Sequence, residues 1–240
     1  MEILITICAR GGSKGIPGKN IKILNGKPLI YYSLDTASKF ADLIGNVDLV
    51  LSTDDEEIKD TVRSLAFNID TYYLRPEFLA TDTAGKIDAI HDVLSYSENK
   101  NNKKYDYIID LDVTSPLRSV KDLQEAYIIL GNSDDAYNIF SVSPANRNPY
   151  FNMVEEGENG YFNTCKKGTF LTRQSAPKVY DMNASFYIYR ATFFEDGLKK
   201  AITEKSLVYE VSHLCFDLDH KIDFVIMSLL MENNQLDFEL

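Results

Sequence analysis

A glycine-rich, cationic loop follows the first apolar run of the chain. The run Ile3–Ala9 has the composition of a buried strand. The next segment, Arg10–Asn20, contains four glycines, which let the backbone turn sharply and bring N–H groups close to phosphate oxygens. Between Ile3 and Leu34 the chain has no Asp or Glu, although its net charge is -11. This segment, called the glycine loop below, predicts a binding site for a polyphosphate.

The spacing of the glycines excludes the two commonest phosphate-binding motifs. Neither Gly-x-x-x-x-Gly-Lys-Ser/Thr nor Gly-x-Gly-x-x-Gly occurs between Gly11 and Gly26. Kinase, ATPase and NAD-dependent activities therefore lose their main support. Arg10 follows the carboxyl end of the predicted strand, which is where open α/β sheets bind ligands. A loop that is merely solvated is the alternative interpretation of the same composition.

Two pairs of carboxylates occur where apolar segments end. One pair is Asp110 and Asp112, and the other is Asp217 and Asp219. Because alternate residues of a strand share a face, a strand would point both members of each pair to one side. Mg²⁺ bound with a nucleotide takes one or two carboxylates together with phosphate oxygens. We therefore expect Mg²⁺ as the cofactor, with turn or helix capping as the alternative role of either pair.

Guanidinium and amide side chains are concentrated between residues 172 and 185. Arg173, Gln174 and Asn183 suit a carboxylate and sugar hydroxyls, because these groups form paired, directional hydrogen bonds. A surface salt bridge is an equal alternative for Arg173. The three histidines form no metal-ligand pattern, and no local Ser/His/Asp or Cys/His arrangement predicts covalent catalysis.

Strand-like and helix-like segments alternate through the first 143 residues. The predicted strands are Ile3–Ala9, Val47–Thr53, Ile69–Leu74, Tyr107–Asp112 and Ala136–Val142. The predicted helices are Leu29–Phe40, Glu56–Phe67, Ala84–Ser97 and Leu123–Leu130. This alternation predicts an α/β fold in which helices cover both faces of a mostly parallel sheet.

The composition changes after Pro144. Asn, Gly and aromatic residues fill positions 146–170 without helical periodicity, which predicts a hairpin or arm that projects from the sheet. The remaining predicted elements are a strand at Val179–Arg190, a helix at Thr192–Ile202, a strand at Leu207–Val211 and a helix at Ile222–Glu232. We therefore expect one domain over 1–240, with the arm at 144–178 inside it.

The overall charge and composition limit the partners and the location. A sequence pI near 4.8 argues against nucleic acid, which needs a broad basic surface. No apolar run approaches the ~20 residues that cross a bilayer, and the first residues lack the pattern of a secretory signal. The three cysteines are far apart, as in proteins of reducing compartments. We expect a cytoplasmic protein that binds neither nucleic acid nor membranes.

The glycine loop resembles the nucleotide-binding signature of the acylneuraminate cytidylyltransferases. Further matching segments follow in order: Leu24–Ile30, Ser52–Asp55, Arg75–Pro76, Leu79–Thr83, Thr114–Arg118 and Asp217–Asp219. The resemblance implies a Rossmann-like nucleotidyltransferase domain with a dimerisation arm, and hence a homodimer. It also implies a reaction in which the anomeric hydroxyl of a nine-carbon keto sugar acid attacks the α-phosphorus of CTP, giving a CMP-sugar and pyrophosphate.

The resemblance implies roles for individual residues. The loop residues that hold the triphosphate are Arg10, Ser13, Lys14, Lys19 and Asn20. The neighbourhood of the cytosine and ribose contains Arg75, Ala84 and Lys86. The Mg²⁺ carboxylates are Asp217 and Asp219, and the catalytic residues are Arg10, Lys19 and Asp219. Gln174 and Asn183 match positions around the sugar acid, and we expect Arg173 and Asp112 to contact the substrate as well.

One departure from the family pattern lies close to where the reaction should occur. The sialic acid enzymes usually have Leu-Gln-Pro-Thr-Ser-Pro, where this chain has Asp112 in place of the glutamine. An acid close to the reacting groups could bind the metal ion or accept a hydrogen bond from the substrate. The segments Arg147–Asn152 and Thr172–Ser185 are most similar to the bacterial branch that activates legionaminic acid.

Three alternatives stay open at this point. The same reaction could use N-acetylneuraminate, pseudaminate or the eight-carbon octulosonate. A nucleotide-binding module without catalysis and a glycosyltransferase that uses a nucleotide sugar are the other two. The presence of both Asp217 and Asp219 with the complete cationic loop favours an enzyme.

Overall fold

Ten strands and six α-helices are present in residues 1–12, 15–81 and 83–240, which are the residues that the computed structural model describes. The strands are β1 Ile3–Cys8, β2 Ile23–Leu24, β3 Lys27–Pro28, β4 Val47–Ser52, β5 Tyr107–Asp112, β6 Asn138–Pro144, β7 Val154–Glu156, β8 Phe162–Thr164, β9 Tyr180–Arg190 and β10 Ser206–Glu210. The helices are α1 Ile30–Ile44, α2 Glu56–Ser64, α3 Lys86–Asn101, α4 Val120–Gly131, α5 Ala191–Glu195 and α6 Lys221–Glu232. Short 3-10 helices occur at Lys19–Ile21, Glu77–Leu79 and Arg173–Ser175.

The central sheet has the strand order β10-β6-β9-β5-β1-β4. β1 pairs in parallel with both β4 and β5, and β10 pairs in parallel with β6. β9 is antiparallel to both of its neighbours, β5 and β6. Five strands of this sheet therefore share one direction, which confirms the predicted mostly parallel α/β fold.

Helices cover both faces of the sheet. Ile5 and Ile7 of β1 belong to a buried cluster that includes residues of α1, α4 and α6. Leu4 of the same strand belongs to a second cluster, which includes Ile90 and Val93 of α3. This division follows because successive residues of a strand point to opposite faces, and each face of a buried sheet needs an apolar cover.

The predicted strand Ile69–Leu74 was wrong. Only Asp70 reaches β4, in an isolated parallel bridge with Val50, where its backbone N–H donates to Leu49 and its carbonyl accepts from Leu51. The chain then leaves the sheet, and the side chains of Tyr72 and Leu74 are exposed. The apolar composition of this segment resembles a strand, but a strand also needs a continuous partner.

The other predicted elements differ from the observed helices and strands mainly at their ends. Tyr107–Asp112 has its predicted bounds, whereas the predicted helix Thr192–Ile202 is wrong in extent. Its observed counterpart ends at Glu195, shortly before Gly197 adopts a φ of 69°. A left-handed glycine commonly terminates a helix, and this signal was present in the sequence.

A two-stranded hairpin, separate from the central sheet, lies within the segment 144–178. β7 and β8 pair antiparallel, and most of their side chains are exposed. This confirms the predicted hairpin, which lies between the end of β6 and the start of β9. Among the described residues, none of the helices is both long enough and apolar enough to cross a membrane.

Candidate active site

The carboxyl ends of β1, β4 and β5 lie side by side. Their last residues, Cys8, Ser52 and Asp112, are register partners. A cavity of about 280 Å³, called the edge cavity below, opens there. The predicted site residues that line it are Arg10, Lys19, Asn20, Arg75, Ala84, Lys86 and Asp112. The structure thus brings together residues from four separate parts of the sequence.

Two glycines shape the glycine loop, one through its backbone conformation and one through a close approach. Gly18 has a φ of 61°, which favours glycine, and it precedes the 3-10 turn that begins at Lys19. A Cβ at Gly15 would lie 2.6 Å from the carbonyl oxygen of Asp219, so the loop passes too close for any side chain there. Asn20 is buried and donates from Nδ2 to the carbonyl of Arg10 at 2.9 Å. The predicted residues Ser13 and Lys14 lie outside the described residues.

Arg75 is fixed against the end of β4. Its Nε donates to Ser52 Oγ at 3.0 Å, and its Nη2 donates to the Ser52 carbonyl at 2.9 Å. The backbone N–H of Arg75 also donates to the carbonyl of Thr53. Arg75 is only 6% exposed, so its guanidinium is held in a defined place in the cavity wall.

Lys86, the first residue of α3, binds both carboxylates at the end of β5. Its Nζ lies 2.8 Å from Oδ2 of Asp110 and 2.8 Å from Oδ2 of Asp112. The other oxygen of Asp110 accepts from Thr6 Oγ1 at 2.8 Å. The prediction that Asp110 and Asp112 share a face of their strand is confirmed, because one ammonium group contacts both.

The charges of this cluster are mutually stabilised. Burial opposes the ionisation of Asp112, but the Lys86 ammonium and two hydrogen bonds from Thr114 outweigh it and lower the pKa of Asp112 to about 2. Burial also lowers the pKa of Lys86, yet Asp110 and Asp112 raise it well above its ordinary value. Asp112 is therefore a permanent carboxylate at neutral pH and a weak proton acceptor.

The second acidic pair flanks a buried leucine. Leu218 is fully buried, and its N–H donates to the Thr114 carbonyl at 2.8 Å. The carbonyl of Leu218 accepts from Lys19 Nζ at 2.7 Å, and Asp219 Oδ1 lies 3.9 Å from the same ammonium. The prediction that Asp217 and Asp219 end a strand was wrong, because the segment 214–219 belongs to no strand. The buried leucine still places Asp219 beside Lys19 and the glycine loop, while Asp217 interacts with Asp219 and with Asp112.

These two carboxylates suit a divalent cation that is shared with a nucleotide. Burial raises the pKa of Asp217, and the neighbouring charge of Asp219 raises it further, so a bound cation would relieve this repulsion. In the part of the chain that the structure describes, no group of three or more His, Cys, Asp or Glu side chains could hold a metal ion. Two carboxylate ligands are a donor set that Mg²⁺ accepts when phosphates and water supply its other ligands.

The residues predicted around the sugar acid do not meet in the edge cavity. Arg173 and Gln174 line a separate cavity of about 530 Å³ at the base of the hairpin. A guanidinium nitrogen of Arg173 donates to the carbonyl of Ala145. Asn183 is 5% exposed, and its amide group hydrogen-bonds to Ser141 and Ser143 of β6. Its side chain thus joins β9 to β6 at an irregularity in their register.

Arg118 is a buried residue for which the sequence predicted no role. Its guanidinium donates to the carbonyls of Asp112 and Ser115, and to Ser185 Oγ at 2.9 Å. Burial lowers the pKa of Arg118 to about 10. These bonds hold the turn after β5 and so place Asp112. A signal was available, since Arg118 ends one of the segments that match the family, but its contacts depend on the fold.

Comparison with known proteins finds similar sequences that match nearly the whole chain. Residues 4–204 match the family model described as cytidylyltransferase. The Post-translational flagellin modification protein B of Campylobacter coli is 40% identical over 236 residues, which are 98% of this chain and 97% of that protein. The CMP-N,N'-diacetyllegionaminic acid synthase of Campylobacter jejuni is 37% identical over 235 residues, with 98% and 97% coverage.

The fold also has a close counterpart among solved structures. CMP:2-keto-3-deoxy-manno-octonic acid synthetase complexed with CTP superposes with a TM-score of 0.69 at 15% identity. The superposition covers 98% of this chain and 100% of that chain. At this identity the similarity shows the shared fold alone.

Proposed function

Because this chain belongs to the cytidylyltransferase family, we propose that it transfers CMP from CTP to a nonulosonic acid of the legionaminic acid class. Pyrophosphate is the second product. The observation that carries the proposal is the edge cavity, which gathers the cations of the glycine loop, Arg75 and the Lys86 cluster at one end of the parallel strands. The identity to the Campylobacter jejuni synthase supports the choice of acceptor.

In this proposal the triphosphate binds at the glycine loop. Arg10 and Lys19 provide positive charge there, and Asn20 holds the backbone of the loop through the Arg10 carbonyl. The cytosine and ribose lie toward Arg75 and Lys86. Transfer of this kind is accelerated mainly by positioning and by fixed charges that stabilise the transition state, so no nucleophilic side chain is required.

The proton of the attacking hydroxyl is not taken by Asp112. A pKa of about 2 makes its carboxylate a poor base near neutral pH, since an effective general base has a pKa close to the working pH. We assign Asp112 a positioning role, in which its carboxylate fixes Lys86 and the turn at Thr114.

We further propose that Asp217 and Asp219 hold Mg²⁺ together with oxygens of the triphosphate. The raised pKa of Asp217 and the position of Asp219 beside Lys19 support this assignment. When bound, the ion would supply charge neutralisation at the phosphates. Leu218, buried between the two acids, sets their positions relative to the glycine loop.

The acceptor pocket is proposed to be completed in a homodimer. Arg173 and Gln174 lie beside the hairpin, away from the edge cavity, and the hairpin reaches a neighbouring subunit in this arrangement. Exposed apolar residues on and near the hairpin support an interface there: Met153, Val154, Tyr161, Phe162 and Leu171. We place the reaction in the cytoplasm, which the three free cysteines support.

The test is pyrophosphate release from CTP and Mg²⁺ with a panel of acceptors. N,N'-diacetyllegionaminate, N-acetylneuraminate, pseudaminate and the eight-carbon octulosonate are compared, with CTP alone as the control. We expect the highest kcat/KM with the legionaminate. A higher value with any other acceptor would overturn the proposed substrate class.

Two other results would overturn the proposed reaction. Binding of CTP without product for any acceptor would indicate a module that has lost catalysis. Transfer from a finished CMP-sugar without any need for CTP would indicate a glycosyltransferase.

A further inference from the structure

A buried histidine lies on the segment that leads to the acidic pair. His213 Nε2 lies 2.8 Å from Oδ2 of Asp122 in α4, and its Nδ1 lies 3.0 Å from the carbonyl oxygen of Leu214. An ionised carboxylate and a carbonyl oxygen only accept hydrogen bonds. Since a neutral imidazole donates from one nitrogen only, both contacts are satisfied only when His213 is protonated.

The last residues of the described chain pack over this histidine. The Phe238 ring stacks on the His213 ring with centroids 3.6 Å apart and planes at 15°. The carboxylate of Asp237 accepts from the backbone N–H of Leu214 at 3.0 Å. The side chains of His213 and Asp122 are only 8% and 4% exposed. We name His213, Asp122, Asp237 and Phe238 the histidine clasp.

The charged groups around His213 come from two elements. Asp122 lies on α4 and Asp237 on the terminal segment. At the other oxygen of Asp122, the hydroxyl of Tyr209 lies 3.1 Å from Asp122 Oδ1 and 2.7 Å from Glu125 Oε2, and it donates to one of the two at a time. The imidazolium of His213 therefore lies near two carboxylates. It contacts Asp122 directly, whereas Asp237 binds the backbone N–H of the next residue, Leu214.

The clasp fixes one end of the acidic segment. Five residues after His213, Leu218 is held by the Thr114 carbonyl and by Lys19. At the other end, Asp223 Oδ2 accepts from the backbone N–H of Asp219 at 3.0 Å, in the capping box of α6. The segment is thus attached at both ends, and the clasp is the attachment that depends on a protonated side chain.

We propose that His213 is a positioning residue that holds Asp217 and Asp219 in place for the metal ion. The inference rests on the proposed function, because it takes these two acids as the metal ligands. Residues behind a metal ligand commonly set its orientation, and their loss weakens metal binding or activity about 10- to 100-fold. His213 acts here through the backbone, and it lies outside the lining of the edge cavity.

The clasp is expected to weaken as the pH rises. Burial lowers the pKa of His213, but its hydrogen bonds to Asp122 and to the Leu214 carbonyl, with the charges of Asp122 and Asp237, raise it above its ordinary value. A group whose pKa is raised by folding stabilises the protein fully below its unfolded pKa of about 6.5. That stabilisation is lost as the pH rises through the folded pKa.

The first experiment measures amide hydrogen exchange of the unliganded protein. In His213→Gln, which removes the charge, we expect residues 214–219 to exchange about tenfold faster, because a charge-assisted hydrogen bond is lost. β5 should keep its protection. The control is His91→Gln, since His91 is exposed on α3. Unchanged exchange at 214–219, or an equal increase in β5, would overturn the proposal.

The second readout is the concentration of Mg²⁺ that gives half-maximal pyrophosphate release. We expect it to rise about tenfold in His213→Gln, while the KM for CTP changes by less than about twofold. A rise in the KM for CTP without a shift in Mg²⁺ dependence would contradict a positioning role. If wild-type protein releases no pyrophosphate, the proposed function fails, and the exchange result still decides whether His213 holds the segment.

A pH series on wild-type protein covers the case in which His213→Gln does not fold. Protection at 214–219, measured relative to the intrinsic exchange rate at each pH, should fall as His213 loses its proton. Constant protection through the titration of the His213 ring, followed by NMR, would overturn the proposal.

Discussion

The ammonium nitrogen of Lys86 lies 2.8 Å from Oδ2 of Asp112, in the wall of the edge cavity. The carboxylate of Asp112 on β5 thus forms an ion pair with a residue of α3, and the Asp110 carboxylate contacts the same ammonium group. One ammonium and two carboxylates give the Lys86 cluster itself an excess of negative charge. Phosphate groups are therefore expected at the glycine loop, and Lys86 is expected to contact the nucleoside side of the substrate.

Replacing Asp112 by Asn should lower the free energy of unfolding by about 2 kcal/mol. The ion pair of Asp112 and Lys86 is partly exposed. The stability lost on removing it should therefore lie between the values for a surface ion pair and for a fully buried one. Because folding lowers the pKa of Asp112 to about 2, the stabilisation is present above its unfolded pKa of about 3.9 and is lost as the pH falls toward 2. Urea denaturation between pH 7 and 2 measures both effects.

The control for that substitution is Asp35→Asn, which removes a single i,i+4 pair with Lys39 on α1, whose ammonium side chain is 52% exposed. We expect a change of less than about 0.5 kcal/mol. Equal effects of Asp35→Asn and Asp112→Asn would contradict a special role for the Lys86 cluster.

Replacing Asp219 by Asn should reduce kcat about 100-fold or more and leave the melting temperature unchanged. The carboxylate is 65% exposed, so its removal costs little stability. A metal site, in contrast, loses most of its affinity for the ion when a charged ligand is replaced by a neutral one. Steady-state kinetics with Mg²⁺ test the effect on kcat, and thermal unfolding tests the effect on the melting temperature. Asp134→Asn, at an exposed position after α4, is the control. Wild-type turnover in Asp219→Asn would refute the metal assignment.

Replacing Lys19 by Met should raise the KM for CTP about 10- to 100-fold, the cost of a lost charge-assisted hydrogen bond. Met retains most of the apolar stem, so local packing is preserved. Lys22→Met is the control, because the Lys22 ammonium lies over the Phe224 ring and does not line the edge cavity. An unchanged KM for CTP in Lys19→Met would remove Lys19 from the triphosphate site.

Replacing Arg118 by Lys should lower the free energy of unfolding by about 3 kcal/mol. A lysine cannot reproduce the planar set of donors that meets two carbonyls and a hydroxyl, and it leaves buried acceptors unpaired. Arg63→Lys, on the exposed side of α2, should change stability by less than about 1 kcal/mol. Denaturation midpoints give the comparison, and equal stability of the two variants would disprove the structural role of Arg118.

Replacing residues 154–164 by a short Gly-Ser linker should convert a dimer into a monomer of intact fold. Light scattering should give a mass near that of one chain, whereas the wild type should give twice 27.3 kDa. Ile226→Ser, which alters an exposed apolar residue on α6, is the control and should remain dimeric. A monomeric wild type, or a dimer after the replacement, would refute the proposed interface.

The sequence predicts elements well where local patterns suffice. Tyr107–Asp112 is an apolar run that ends in acids, and it forms β5 with the predicted bounds. At Ile69–Leu74 the same reasoning fails, because forming a strand depends on a partner that only the tertiary structure supplies. Propensity for strands is strongly dependent on context, so this failure has a general cause.

The site shows the same limit. The glycine loop is recognisable because its glycines and cations are consecutive in the sequence. The contact between Lys86 and Asp112 cannot be recognised from the sequence, since it depends on where α3 begins relative to the end of β5. Asn183 was expected near the substrate, but its polar side chain hydrogen-bonds within the sheet. Residue type alone does not distinguish these two uses of an amide.

The chain leaves the sheet after Pro144 and re-enters it at Tyr180, and these two residues are direct register partners. Ala145 and Val179 add a backbone hydrogen bond just beyond them. Everything between these neighbours can therefore be exchanged as a cassette without altering any strand of the central sheet. Grafting the corresponding piece of a relative would transfer the proposed subunit interface and the proposed acceptor contacts of Arg173 and Gln174 as one unit, while the edge cavity stays as it is.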